Sequence, residues 1–211
     1  MQEHSDYYSD LLPNKDLITG VSKRSFGLID LVESLGLENR PLVQLDQVHS
    51  ATCAEVVTLE TQTLAQTDAA FTTLRHVALA VRTADCLPIL IAHPQLVGVV
   101  HAGRRGTDSE ILLKLLWLIR ERHGISGGFS FWMGPCICRA CYQVDAVQDI
   151  HYDLMAQNMA QLESFGCLSS CQVVTSDFCT KCRQDMFYSY RGGAREYERI
   201  WGIITLTDPN R

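Results

Sequence analysis

The stretch VALAVRTADCLPILIAHPQLVGVVHAGRRG, residues 77–106, contains three apolar runs separated by short polar links. The runs cover residues 77–83, 87–92 and 96–101. Each run is largely apolar instead of alternating with polar residues, which is typical of strands covered on both faces. Cys86 lies between the first two runs, and His101 ends the third. We therefore expect buried strands whose ends carry a chemically active site.

The remaining strand-like runs span residues 42–48, 54–59, 129–133, 171–175 and 199–206. Two segments have helical character. Residues 108–123 follow a capping-box pattern from Thr107 to Glu110 and stop at Gly124, and residues 145–164 stop before Gly166. Many strands with few helices predict an α/β (mixed α+β) fold in which helices pack on a central mixed sheet. No linker rich in Pro, Gly or Ser divides the chain, so we predict a single domain over residues 1–211.

The composition narrows the class of protein. The 211 residues carry 18 Lys and Arg against 24 Asp and Glu, and the net charge of −6 argues against a nucleic-acid partner. The first residues, MQEHSDYYSD, lack the apolar segment of a secretory signal, and no long apolar run predicts a membrane span. Nine cysteines without such a signal favour free thiols or metal ligands over disulfides. We expect a cytoplasmic protein that contacts no membrane.

Three residues with metal-binding side chains follow or interrupt apolar runs, namely His49, Cys86 and His101. If the strands beside them run in the same direction, these side chains converge at one edge. Two His and one Cys form a three-ligand zinc set that leaves a fourth position for water or substrate. A Cys–His pair equally suits nucleophilic catalysis. A small core cysteine with two hydrogen-bonding histidines is the structural alternative.

Polar residues beside these positions are further candidates. Asp85 precedes Cys86 and is a candidate general base or ligand-orienting group, or else a turn-forming residue. Arg105 lies in a glycine-containing turn before a helix, where a guanidinium suits phosphate. In YSYRGG at 188–193, Tyr190 offers a ring to stack on a planar ligand and Arg191 offers a cation. The alternatives are solvated arginines and an ordinary exposed strand edge.

Several of the other cysteines fall in two short segments. GPCICRACYQV, residues 134–144, holds three of them, and CTKC, residues 179–182, is a CxxC pair. Together they suggest a structural zinc site. Because the first segment lacks the usual paired knuckles, isolated thiols are the favoured interpretation.

Six segments in this order resemble the YfiH-type family, which is also called the laccase-domain or multicopper polyphenol oxidoreductase family. They are QVHS at 47–50, TDAAFT at 67–72, TADCLPIL at 83–90, VVHAGRRG at 99–106, GPCICRACYQV at 134–144, and FCT with FYSYRGG at 178–180 and 187–193. The resemblance implies a single mixed α/β domain. It also implies a zinc site on His49, Cys86 and His101, with copper as the alternative metal.

The resemblance implies phosphorolysis of purine nucleosides, including methylthioadenosine, and deamination of adenosine. The expected partners are therefore purine nucleosides and phosphate. The candidate catalytic residues are Asp85 and Arg105, and the candidate substrate-binding residues are Gln47, Asp68, Tyr190 and Arg191. The laccase name predicts phenol oxidation, but a four-copper oxidase needs about ten histidines, many in His-x-His pairs. This chain has seven histidines and no such pair, so polyphenol oxidation is a weaker alternative.

The chain departs from the family pattern in two places. Arg104 stands where family members usually have Trp, which removes an aromatic surface and adds a charge. The family's N-terminal segment is shortened or rewritten within residues 1–30, where GVS at 20–22 remains. Two other functions stay open. One is a metal-free hydrolase or deamidase that uses Cys86 with His101 as its base, and the other is a non-catalytic domain that binds a nucleoside.

Overall fold

The structure is a computed structural model that describes residues 1–12 and 14–208. In these residues the strands are β1 (Gln2–Glu3), β2 (Tyr7–Ser9), β3 (Leu17–Ser22), β4 (Leu42–Leu45), β5 (Cys53–Glu55), β6 (Gln62–Leu64), β7 (Ala69–Thr72), β8 (Ala78–Thr83), β9 (Leu87–His93), β10 (Leu96–Ala102), β11 (Ser130–Met133), β12 (Gln143–Asp145), β13 (Ile150–His151), β14 (Gln172–Thr175) and β15 (Ile200–Leu206). The α-helices are α1 (Leu28–Ser34), α2 (Arg104–Asp108), α3 (Ile111–His123) and α4 (Leu154–Phe165). No helix within the described ranges has the length and apolar character to cross a membrane.

The strands form two mixed sheets and one short hairpin. The seven-stranded sheet has the order β1-β2-β3-β15-β8-β4-β6, and the six-stranded sheet has the order β14-β11-β9-β10-β7-β5. Strands β12 and β13 pair separately as the hairpin. Both sheets include parallel pairs, since β4 runs parallel to β6 and β8, and β11 runs parallel to β14. The predicted mixed α/β fold is confirmed, with its strands divided between two sheets instead of one central sheet.

The two sheets pack face to face between helices, which gives four layers. Leu79 of β8 and Leu90 of β9 lie in one buried cluster that fills the space between the sheets. Neighbouring residues of the same strands face outward. Ile89 joins the cluster that contains α3 and α4, whereas Ala80 packs with Leu31 of α1. Because each central strand is covered on both faces, nearly every position is apolar, and each fully buried large side chain contributes about 1.5–3 kcal/mol.

Helix α3 begins at Ile111 and not at the predicted residue 108. The preceding residues form the separate short helix α2, and Glu110 between them has a left-handed φ of 60°. The expected capping box is wrong, because Thr107 Oγ1 instead accepts a hydrogen bond from Asn158 Nδ2 at 3.1 Å. Gly124, with a φ of 70°, ends the helix as predicted.

Helix α4 is also shorter than predicted, because residues 145–151 belong to a hairpin. Asp145 Oδ1 accepts the backbone N–H groups of Val147 and Gln148 at 2.8 and 3.0 Å. This local bonding competes with a helix and stabilises a turn between β12 and β13. The helix begins after Asp153, whose carboxylate accepts a backbone N–H three residues further on at 2.9 Å.

The N-terminal segment, for which the sequence predicts no strand, is part of the seven-stranded sheet. Strand β3 pairs with β15 near the middle of this sheet, and β1 and β2 extend it outward. Gly20 of β3 allows close approach of the chain that follows α1, because an added Cβ would lie 2.7 Å from Leu35 Cδ1. These contacts fasten the segment to the rest of the fold.

Candidate functional site

Two links that pass between the sheets meet at one edge of the molecule. Residues 46–52 lead from β4 in the seven-stranded sheet to β5 in the six-stranded sheet, and residues 84–86 lead from β8 to β9. His49 lies in the first link and Cys86 in the second. His101 lies near the end of β10, beside the start of β9. The structure therefore brings these three residues together, and their ligand atoms all lie within 4.8 Å of one another.

Asp68 is a buried carboxylate that organises this group from beneath. Its Oδ1 accepts the ring Nδ1 of His101 at 2.7 Å and the backbone N–H of His49 at 3.0 Å. Its Oδ2 accepts both the backbone N–H and the hydroxyl of Ser50 at 2.7 Å. These bonds hold His49 at a left-handed φ of 61°. They also occupy Nδ1 of His101 and leave its Nε2 for a ligand.

The electrostatics of the group favour a charged sulfur. Burial raises the pKa of the Cys86 thiol, but the charge of His101 and hydrogen bonds with both histidines have the larger effect and lower it to about 6. Burial lowers the pKa of His101, but Cys86 and Asp68 raise it to about 9. Burial raises the pKa of Asp68, and bonds from His101 and Ser50 bring it down to about 2. A thiolate beside a cationic imidazole is a good nucleophile and a good metal ligand.

The group has the composition and the space of a metal centre. Two imidazole nitrogens and one thiolate are the donors that zinc and copper prefer. Gly103 leaves room beside them, since an added Cβ would lie 3.0 Å from both Cys86 Sγ and His49 Cδ2. The carboxylate of Asp68 behind His101 is the supporting partner that metal-bound histidines usually have.

Asp85 is buried next to Cys86 and forms hydrogen bonds with the segment near the C-terminus that contains Thr180 and Arg191. It has a left-handed φ of 88°. Its Oδ1 accepts the hydroxyl of Thr180 at 2.7 Å, and its Oδ2 accepts the backbone N–H of Arg191 at 2.7 Å. The carboxylate thus connects the cysteine link to the C-terminal segment that carries Tyr190 and Arg191.

A cavity of about 890 Å³ opens onto the three candidate ligands. Its walls carry an excess of cations over the carboxylates of Asp85 and Glu196, namely Arg82, Arg104, Arg105, Arg191 and Arg199. Three aromatic side chains also line it, namely Tyr142, Tyr190 and Tyr197. In a chain of net charge −6, this local positive charge favours an anionic ligand. The volume is in the range of cavities that bind small molecules.

Most of the candidate substrate-binding residues line this cavity. Gln47 is fixed there by two bonds to the backbone of Arg82, at 2.7 and 2.9 Å. Tyr190 and Arg191 also line the cavity, and so does Arg105, which belongs to α2. Asp68 differs, because it is fully buried below the cavity, where it contacts His101 instead of the open space.

Sequence reasoning missed part of the cavity wall, including Arg82 and Tyr142. Arg82 is the one exposed position of the otherwise buried strand β8, and a charged residue in an apolar strand is a signal that could have been used. Tyr142 lies in the cysteine-rich segment 134–144, and the guanidinium of Arg191 lies over its ring at 5.3 Å. No local pattern indicates that contact, because it depends on how two distant loops meet.

The other histidines lie elsewhere and have their own partners. His76 contacts Asp208, His123 contacts Glu55, and His151 contacts Asp149. His4 contacts Ser9, and the ring of His93 accepts a backbone N–H from Gln95. In the described ranges, neither metal-capable group includes any of these five. The arrangement does not match the histidine-rich sites of a four-copper oxidase.

Several known proteins resemble this chain in sequence and in fold. A family model described as multi-copper polyphenol oxidoreductase laccase matches residues 28–207. A purine nucleoside phosphorylase of Streptomyces coelicolor is 32% identical over 195 residues, covering 82% of this chain and 78% of the relative. An adenosine deaminase, RL5, from an unknown prokaryote is 28% identical over 195 residues, covering 77% and 74%. The crystal structure of YlmD from Geobacillus stearothermophilus superposes with a TM-score of 0.88 at 24% identity, covering 99% and 98% of the chains.

Proposed function

This chain belongs to the multi-copper polyphenol oxidoreductase laccase family, and we propose that it is a zinc-dependent purine nucleoside phosphorylase. Adenosine deamination and methylthioadenosine phosphorolysis are the further activities we propose for the same site. One observation carries the proposal: His49, Cys86 and His101 form a group that opens into a cavity lined by arginines and tyrosines. The names of the relatives, a purine nucleoside phosphorylase and an adenosine deaminase, support it.

His49, Cys86 and His101 would hold the ion, because two imidazoles and a thiolate make a three-ligand zinc set with an open fourth position. When bound, zinc supplies a Lewis acid that can polarise a substrate atom or lower the pKa of a water molecule. Asp68 keeps the His101 ring in the orientation that leaves Nε2 free. Elemental analysis of purified protein separates zinc from copper.

For phosphorolysis, the arginines of the cavity would hold phosphate, with Arg105 as the first candidate and Arg191 as the second. A phosphate oxygen bonds to the anomeric carbon of the ribose while the bond to the purine nitrogen breaks and the purine leaves with the electron pair. Tyr142 and Tyr190 offer rings on which a purine can stack. Arg191 is already oriented, because its side chain donates to the carbonyl of Gln143 at 3.0 Å.

Deamination would use the same cavity with water in place of phosphate. The water oxygen bonds to purine C6, and the amino group leaves as ammonia after it gains a proton. We propose that Asp85 assists this proton transfer, because it lines the cavity next to Cys86. Its Oδ2 also accepts the backbone N–H of Arg191 and so positions that residue, and replacing Asp85 is therefore expected to weaken both reactions.

The test uses purified, zinc-loaded protein with inosine plus phosphate and, separately, with adenosine. Hypoxanthine release measures the first reaction and ammonia release the second. We expect Arg105→Ala to raise KM for phosphate about tenfold, which corresponds to ~1.4 kcal/mol, because a charge-assisted hydrogen bond is lost. Arg120→Ala is the matched control, since Arg120 stacks on Trp117 away from the cavity. Absence of both reactions with the metal intact would contradict the proposed function.

A second function is favoured by the line of contacts from Cys86 through His101 to Asp68. The Asp68 carboxylate lies 2.7 Å from the ring of His101, which in turn lowers the pKa of the Cys86 thiol. This is the order of nucleophile, base and orienting carboxylate in cysteine hydrolases. Metal analysis discriminates between the two functions. Loss of one metal ion per chain in Cys86→Ala supports the zinc enzyme, whereas an unchanged metal content together with a Cys86 that reacts with iodoacetamide supports the hydrolase.

A further inference from the structure

Two CxxC pairs that are about forty residues apart in sequence come together behind the wall of the cavity. They are Cys138 with Cys141 and Cys179 with Cys182. The parallel pairing of β11 with β14 explains why the two pairs come together. The segments that follow these two strands run side by side and form a further β-bridge between Cys136 and Cys179. The expectation of isolated thiols is therefore wrong for these four residues.

The local geometry is that of a site built for an ion. The four sulfur atoms all lie within 4.8 Å of one another, and Cys141 Sγ lies 3.5 Å from Cys182 Sγ. A zinc ion with Zn–S bonds of about 2.3 Å has sulfur atoms about 3.8 Å apart, whereas a disulfide needs about 2.05 Å. Cys179 Sγ also accepts the backbone N–H of Cys138 at 3.3 Å. Hydrogen bonds of this kind stabilise negative charge on a metal-bound sulfur.

Each pair is held in a turn that points its two sulfur atoms the same way. The backbone N–H of Cys141 donates to the carbonyl of Cys138 at 3.0 Å, and that of Arg183 donates to the carbonyl of Cys179 at 2.9 Å. Three of the four cysteines are buried or half-buried, and Cys182 lies at the surface. An ion could therefore enter from solvent next to Cys182.

We propose that Cys138, Cys141, Cys179 and Cys182 bind a second zinc ion in a closed, structural four-thiolate site. Four protein ligands leave no position for substrate, in contrast to the group of His49, Cys86 and His101. Zinc is favoured because two CxxC pairs that offer four sulfur donors and no histidine match a common structural zinc set.

The proposed ion would fasten two segments that both reach the cavity. Cys141 is followed directly by Tyr142, and Cys179 is followed by Thr180, whose hydroxyl donates to Asp85. The same two segments meet again where the guanidinium of Arg191 lies over the Tyr142 ring. Loss of the ion is therefore expected to weaken substrate binding and to lower stability, without removing a catalytic group.

The test counts metal ions in variants of the full chain by elemental analysis. We expect two zinc ions per wild-type chain, one in Cys182→Ser and one in Cys86→Ser. Cys182→His should restore the count to two, because three cysteines and one histidine also form a structural zinc set. Cys53→Ser is the matched control and should keep two, since Cys53 contacts the carbonyls of Ala51 and Ile111 and belongs to neither group.

Cobalt replacement of the ion in Cys86→Ser provides an independent readout. A four-thiolate site predicts intense sulfur-to-cobalt charge-transfer absorption. Adding Cys182→Ser to Cys86→Ser should abolish this absorption, whereas adding Cys53→Ser should leave it unchanged. Three outcomes would overturn the proposal: four reactive thiols with no metal, a mass lower by two hydrogens that marks a Cys141–Cys182 disulfide, or iron in place of zinc. These measurements do not depend on nucleoside turnover, so failure of the proposed function and failure of this site can be told apart.

Discussion

At the scale of single residues, Asp68 is the group on which the candidate metal centre most depends. It is fully buried, it bonds to His101 at 2.7 Å, and it fixes the loop that carries His49. A carboxylate in this position sets the orientation of a ligand ring without touching the ion. Its burial is tolerable because each oxygen accepts at least two hydrogen bonds from this loop and ring.

Asp68→Asn should weaken zinc binding at the three-ligand group by about 10- to 100-fold, because the amide supports the His101 imidazole less well. Competition with a chromophoric chelator measures this affinity. The control is Asp46→Asn, since Asp46 is an exposed carboxylate in the link that carries His49 and accepts a long hydrogen bond, 3.3 Å, from the backbone N–H of Gln66. Equal affinities for the two variants would show that Asp68 does not support the metal ligand.

Arg104 is a second residue whose identity changes the site. It lines the cavity beside Arg105, at the start of α2, where the resembling family usually has Trp. The guanidinium adds positive charge at a place where an aromatic ring would pack on the substrate. The cavity of this chain is therefore better suited to a charged group at that wall than to a purely apolar one.

At the scale of elements, one contact ties strand β5 to the end of α3. Glu55, largely buried, accepts Arg122 Nη1 at 2.7 Å and His123 Nε2 at 2.8 Å. Burial raises the pKa of the Glu55 carboxyl, but these two bonds lower it below its usual value overall. Basic residues in the last turn of a helix are also favoured by the helix dipole, so the contact stabilises α3 on the six-stranded sheet.

Glu55→Gln should lower the free energy of unfolding by about 1 kcal/mol at pH 7. A carboxyl whose pKa is lowered by folding stabilises the native state above its unfolded pKa of about 4.3, and this contribution disappears as the pH falls through the folded value. Urea unfolding of both proteins at a series of pH values checks this. The two stabilities should converge on acidification, and curves that stay parallel would contradict the assigned role of Glu55.

The sequence predicts an element well when the residues that determine it lie within that element, and poorly when contacts between distant segments determine it. Continuous apolar runs identify β8, β9 and β10, because burial on both faces leaves a clear pattern. The start of α4 is missed because the side chain of Asp145 forms a turn that competes with the helix. The four-cysteine group is raised by the sequence only as the less favoured alternative to isolated thiols, since the parallel pairing of β11 with β14 that brings its halves together has no local signal.

At the scale of the whole molecule, the site lies where the chain changes sheets. The links that carry His49 and Cys86 both cross from the seven-stranded to the six-stranded sheet, and His101 stands at the end of a strand in the second sheet. The strands hold these ends in place through their buried faces. The site therefore combines rigid support from both sheets with connecting loops that carry His49 and Cys86.

Because the links that carry His49 and Cys86 cross between the sheets, the geometry of the three-ligand group depends on the relative position of the two sheets. A slip of one sheet along the other by a single residue would move its ligands by about 3.4 Å, more than the length of any bond to zinc. An ion bound by the proposed three-ligand group would be released when the sheets separate. In Cys182→Ser, which removes a ligand of the proposed four-cysteine site, a dye that changes colour on binding the released metal would therefore record the separation of the two sheets during denaturation, without any label on the protein.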